Sequence, residues 1–115
     1  MFMIAKSEKD VKADEVSEEG ASNVTIQWLI DSKIGAPNFA MRRFVVGKGG
    51  YTPLHKHDWE HEVFVLGGEG ALVDENGNEL PLKKDYFAFV PPNEIHQFKN
   101  VGDEDFIFLC IIPIK

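Results

Sequence analysis

Cysteine is nearly absent from this chain: Cys110 stands alone among 115 residues. A lone thiol closes no intramolecular disulfide and builds no cysteine-based zinc site. A reducing, cytoplasmic setting is the expectation. Long apolar runs are also missing. The opening stretch Met1–Ala5 breaks at Lys6, short of a signal-peptide core and of a membrane span. Basic residues are a minority, 12 against 19 acidic, for a formal net charge of -7. Nucleic acid and anionic membranes both demand basic patches, so neither is expected as a partner. Much of the negative charge comes from Glu8 to Glu19, a segment read as lying away from any active region. Helical periodicity is the last absence, since no long window carries a convincing apolar stripe.

What remains is a chain that is 43% hydrophobic and 11% aromatic, enough for the core of one domain but not of two. Residues 1–20 read as a polar N-terminal arm and 24–113 as the folded body. From Val24 the pattern takes period two, with Val24, Ile26, Trp28 and Ile30 on one face, which predicts a strand. A second strand is predicted from Phe39 to Val46, ended by Gly47, Gly49 and Gly50. Further candidates are His61–Leu66, Ala71–Asp74, Glu79–Leu82, Tyr86–Val90, Ile95–Lys99 and Phe106–Ile112. Asn76-Gly77 predicts a tight hairpin with positive φ at both central residues. About eight short strands punctuated by glycine and proline describe a sandwich or a small barrel.

All four histidines belong to one constellation. His55, His57 and His61 fall within seven residues, and His96 follows a Pro-Pro-Asn turn. Alternate side chains of an extended segment project together, so His55 and His57 share a direction. A short turn through Asp58-Trp59-Glu60 lets His61 approach the same point, and His96 must arrive from a distant strand. Imidazole is the commonest protein metal ligand, and three or four around one point suit Zn, Fe, Ni or Mn. The bland alternatives are solvated loop histidines or a closed structural zinc site. His61 opens the apolar run Val63-Phe64-Val65-Leu66 and His96 lies near Ile95 and Phe98, which argues against the first; the second usually draws on cysteine.

These spacings resemble the cupin superfamily, whose first motif is Gly-x5-His-x-His-x3–4-Glu-x6-Gly and whose second is Gly-x5-Pro-x-Gly-x2-His-x3-Asn. Here Gly49, His55, His57, His61 and Gly68 follow the first spacing, and Pro91, Asn93, His96 and Asn100 follow the second. The segments Ala36-Pro37-Asn38-Phe39 and Trp59-Glu60-His61-Glu62 are more narrowly similar to small single-domain manganese cupins with an all-histidine site. The resemblance implies an all-β fold, the cupin double-stranded β-helix or antiparallel jelly-roll barrel, in a single domain. It also implies one divalent metal ion on His55, His57, His61 and His96, with manganese first and Fe, Ni or Zn as alternatives. A homodimer is implied in the same way.

The chain departs from the pattern at three positions. His61 occupies the glutamate position, with Glu62 beside it; counting to Glu62 instead places Glu69 where the motif needs glycine, so His61 is preferred as ligand. Asp85 replaces the first glycine of the second motif, which suggests a different turn, and Asn93 replaces the second, where a left-handed residue is tolerated. Four neutral imidazoles would leave a divalent ion at +2, a stronger Lewis acid than a site containing a carboxylate.

Pocket candidates beyond the ligands are Arg42, Trp59, Phe98, Phe108 and Cys110. Both phases of the second strand carry an arginine, and Arg42, in phase with Phe44 and Val46, is assigned to the cavity side, where a guanidinium could hold a substrate carboxylate. The alternative is a strand-end arginine reaching solvent or a partner. Cys110 and Phe108 share a face of the last strand, Cys110 equally readable as a small core residue. Trp59 either gates the mouth or packs over the turn. Asp58 or Glu60 could orient an imidazole. The functional expectation is a metal-dependent oxygenase acting on a small organic substrate. A non-catalytic metal-dependent binding or sensing protein, or a Lewis-acid isomerase or decarboxylase, are the alternatives.

Overall fold

The computed structural model describes residues 3–115. Among the described residues nine strands form one antiparallel sheet: β1 (Asp14–Glu15), β2 (Ser22–Ile30), β3 (Phe39–Tyr51), β4 (His61–Gly67), β5 (Glu69–Asp74), β6 (Glu79–Lys83), β7 (Phe87–Val90), β8 (His96–Asn100) and β9 (Phe106–Pro113). Their spatial order is β6-β5-β8-β3-β9-β4-β7, with β2 also on β3 and β1 on β2. This is the expected jelly-roll barrel in a single domain.

Period two decides which side chains enter the barrel. On β4, His61, Val63 and Val65 are buried while Glu62, Phe64 and Leu66 are exposed. His96, Phe98 and Asn100 of β8 and Phe106, Phe108 and Cys110 of β9 point inward in the same way. Phe106 and Phe108 pack with centroids 5.1 Å apart and planes tilted at 41°, and Phe98 lies 4.9 Å from Phe108. With Val46, Val63, Val65 and Leu82 they close one end of the barrel, each ring worth about 2–3 kcal/mol of burial. The other end stays open, and the histidines lie there.

Several expectations are corrected. β3 does not stop at the glycines; it runs through Gly47, Gly49 and Gly50 to Tyr51. The extra length lets β3 pair with β9 along Phe39–Val46 and then reach β8 at Tyr51. The Asp74–Asn78 turn is not a two-residue primed hairpin: only Gly77 (φ 83°) is left-handed there, and Asn76 is not. The Asp74 carboxylate accepts from the backbone N–H groups of Asn76 and Asn78 and from the Asn78 amide, which stabilises a three-residue loop. At the two positions where the motif has glycine, Asp85 has φ 72° and Asn93 φ 68°, the left-handed region that glycine enters freely.

The N-terminal segment is an edge element of the sheet, in keeping with its polar pattern. Val16 N–H donates to the Val24 carbonyl at 2.9 Å, and β1 pairs with β2. Gln27, on the face of β2 opposite Val24, is buried and donates to the carbonyls of Glu8 and Val11. An apolar-polar alternation cannot reveal that cover, because its partner is backbone.

Candidate metal and ligand site

A cavity of about 380 Å³ opens at the histidine end. His55 and His96 face each other across a two-bond bridge, His55 N–H to His96 O at 3.1 Å and His96 N–H to His55 O at 2.9 Å. Asn93 N–H holds the His57 carbonyl at 2.6 Å, so the left-handed turn before β8 anchors the loop carrying His57. His61 enters from the first position of β4. The ring centres lie close: His55–His57 4.4 Å, His61–His96 4.8 Å, His55–His96 5.1 Å, His57–His61 5.3 Å and His57–His96 6.3 Å.

Three of the four rings have Nδ1 engaged. His55 Nδ1 lies 3.2 Å from the Glu18 carboxylate and His96 Nδ1 2.9 Å from the Glu94 carbonyl. Both partners only accept, so each ring donates from Nδ1, and in the neutral ring Nε2 keeps its lone pair. His61 Nδ1 lies 3.5 Å from Cys110 Sγ, while its Nε2 is buried with no hydrogen-bond partner. Burial pushes the His61 pKa down to about 3, with help from the positive potential of His96 and Arg42. Burial also lowers His57 and His96, and the Glu94 carbonyl opposes part of the shift at His96. These three rings are therefore neutral at pH 7, the form that binds metals. As the side chains lie, no group of three or more His, Cys, Asp or Glu among the described residues stands poised to hold an ion.

Every pocket candidate lines this cavity: Arg42, Trp59, Phe98, Phe108 and Cys110. Arg42 projects inward from β3, its Nη2 3.0 Å from Cys110 Sγ. Arg43, in the opposite phase, donates to the buried Gln27 side chain at 2.9 Å. Trp59 stacks on His57 with centroids 4.4 Å apart and planes at 8°, and Lys115 Nζ lies 5.4 Å from its ring centre. Cys110 is buried, which raises its pKa against an opposing pull from Arg42. Phe98 and Phe108 form the floor.

Other residues fall elsewhere. Glu62 is exposed on the outer face of β4. Asp58 pairs with Lys115 at 3.3 Å and Glu60 is exposed, so neither orients an imidazole. Glu18 does, from the acidic segment that had been read as remote. Nothing in its local pattern marked it; only the pairing of β1 with β2 brings it over His55. Ile26, Trp28 and Phe44 complete the walls.

The cupin domain family model matches residues 42–112. The chain belongs to the cupin family. Among solved structures this cupin is similar to the polyketide cyclase RemF from Streptomyces resistomycificus, with TM-score 0.92 and 36% identity over 99% of this chain and 81% of that one. It is 37% identical to the oxalate-binding protein of Thermotoga maritima, covering 89% of this chain and 91% of the relative. It is 30% identical to auxin-binding protein 1 of Arabidopsis thaliana over 97% of this chain but only 61% of that protein. No helix among the described residues is long and apolar enough to cross a membrane.

Proposed function

We propose that this cupin holds one divalent metal ion on the Nε2 atoms of His55, His57, His61 and His96 and uses it on a small organic molecule bound in the cavity. The observation that carries the reading is the unpartnered Nε2 of His61, buried among three other imidazoles. A buried polar atom without a partner is costly, and a cation would satisfy it. Imidazoles bound at about 2.1 Å put ring centres roughly 4.5–5.2 Å apart at cis or tetrahedral angles; His61–His96 at 4.8 Å and His55–His96 at 5.1 Å fall in that range, while His57–His96 at 6.3 Å lies well outside it. Closing the four nitrogens on one ion needs side-chain rotation, and His55 and His57 are half-buried on a loop with room for it.

Glu18 and the Glu94 carbonyl hold the Nδ1 atoms of His55 and His96 and so aim Nε2 inward, the usual outer-shell arrangement of metal-bound imidazoles. Trp59 lies flat against His57, and the apolar floor of Phe98 and Phe108 excludes water. When bound, the ion supplies Lewis-acid polarisation of ligand oxygens, or a redox centre for dioxygen. The Lewis-acid chemistry is the reading we favour, supported by the likeness to a polyketide cyclase along nearly the whole chain. The oxygenase expected from the sequence is the second reading, supported by the apolar walls. Manganese is the expected ion, and the cupin resemblance supports a homodimer.

Elemental analysis and EPR on protein as purified test the site. One ion per chain is expected in the wild type and in Glu62→Ala, with loss in His61→Ala. Metal that survives His61→Ala but not Glu62→Ala overturns the four-histidine site. Once a substrate is found, turnover without dioxygen selects the Lewis-acid reading, and stoichiometric oxygen uptake the oxygenase.

A further inference from the structure

Arg42 is a half-buried cation that pairs with no carboxylate among the described residues. Its guanidinium carbon lies 5.5 Å from the Trp28 ring centre and 5.0 Å from that of Phe44. Among the described residues its side chain has one hydrogen-bond partner, the Cys110 thiol, a weak acceptor, and its buried Nε has none. None of the ion pairs among the described residues includes Arg42. The only carboxylate lining the cavity among those residues, Glu18, is turned to His55. Arg43 next door shows the contrast, donating at 2.9 Å to a side-chain carbonyl on the outer face.

A guanidinium partly withdrawn from water, with a dry Nε, is costly unless an anion or full hydrogen bonding compensates. Two aromatic faces offset part of that cost. They satisfy none of its N–H groups, and the guanidinium edge is a planar fork matched to a carboxylate. The chain carries net charge -7, yet this cavity concentrates a fixed positive charge beside four imidazoles. We propose that the cavity selects a flat organic carboxylate, its anionic oxygens on Arg42 and its ring against the apolar walls that include Trp28, Phe44 and Ile112. This rests on the cavity being the ligand site proposed above, but not on which ion the imidazoles hold. Arg42 is thereby a specificity-determining residue.

The test is fluorescence or calorimetric titration with 2-naphthoate and its neutral isostere 2-naphthamide, on chelator-treated and on manganese-loaded protein. Wild type is expected to bind the acid at least about tenfold more tightly than the amide in both forms. Arg42→Met keeps the apolar stem, so it should still bind the amide, while the preference for the acid disappears. Arg42→Lys should fall between them, and it provides the same reading if the methionine variant does not fold. Equal binding of acid and amide by wild type overturns the proposal. So does a preference that survives in Arg42→Met, and so does failure of wild type to bind the acid. A preference that appears only with manganese and ignores residue 42 assigns the anion to the ion instead. If the chain takes up no metal, the proposed function fails while the chelator-treated arm still decides the role of Arg42.

Discussion

Replacing Asn100 by alanine should cost about 3 kcal/mol of stability while leaving the histidine constellation in place. Its side chain is buried and makes three bonds: Nδ2 donates to Val46 O at 2.9 Å and to Glu104 O at 2.7 Å, and Oδ1 accepts from Gly102 N–H at 2.8 Å. One residue thus ties β3, β8 and the turn into β9. Each bond is worth about 1 kcal/mol net, which gives the total, and any backbone group left buried and dry adds to it. For a domain whose whole stability is of order 5–15 kcal/mol, that is a large fraction. Urea unfolding followed by tryptophan fluorescence measures it, and with a slope of about 1–3 kcal/mol per molar the midpoint should fall by roughly 1–3 M. Asn100→Asp keeps the acceptor but loses both donor contacts and buries a charge, so it should not rescue. A loss below about 1 kcal/mol in the alanine variant, or rescue by aspartate, would refute the assignment of this motif residue to a turn clamp.

Three further outcomes are expected. Phe106→Ala empties a fully buried ring site and should cost about 3–5 kcal/mol, visible as a large drop in Tm; a small drop would mean that the floor can collapse. Glu18→Ala frees the His55 ring and should weaken metal binding by roughly tenfold or more, measured by chelator competition, and unchanged affinity would remove Glu18 from the site. In metal-free protein the depressed His61 pKa makes unfolded chains bind more protons than folded ones below about pH 6.5. Stability is therefore present above that pH and is lost as pH falls toward about 3, by about 1.4 kcal/mol per unit for this residue. His61→Gln should flatten the urea-midpoint slope between pH 6.5 and 4.5, and identical slopes in the two proteins would contradict it.

The strands of the body were legible because each inward-facing set repeats with period two, as in Val63 and Val65 or Phe106 and Phe108. Family membership was legible because the spacing from Gly49 to Gly68 is a local property of the chain. Gly68 shows why such a spacing carries structure. Its φ is 79°, and a Cβ there would lie 2.2 Å from the Asp105 carbonyl oxygen, so only glycine fits. The turn at Asp74–Asn78 was harder to read, because an aspartate side chain outside the dipeptide decides which backbone groups are satisfied.

By itself, then, the sequence determined the strand pattern, the cupin membership and the grouping of four histidines, since alternation and spacing are properties of neighbours along the chain. The environment of those histidines was settled only in three dimensions. Glu18 reaches His55 through pairing of β1 with β2, and Arg42 meets Cys110 across the β3–β9 register. The same packing buries His61 and leaves its Nε2 without a partner. Burial and long-range pairing depend on where distant segments lie, and no local pattern in this chain records that.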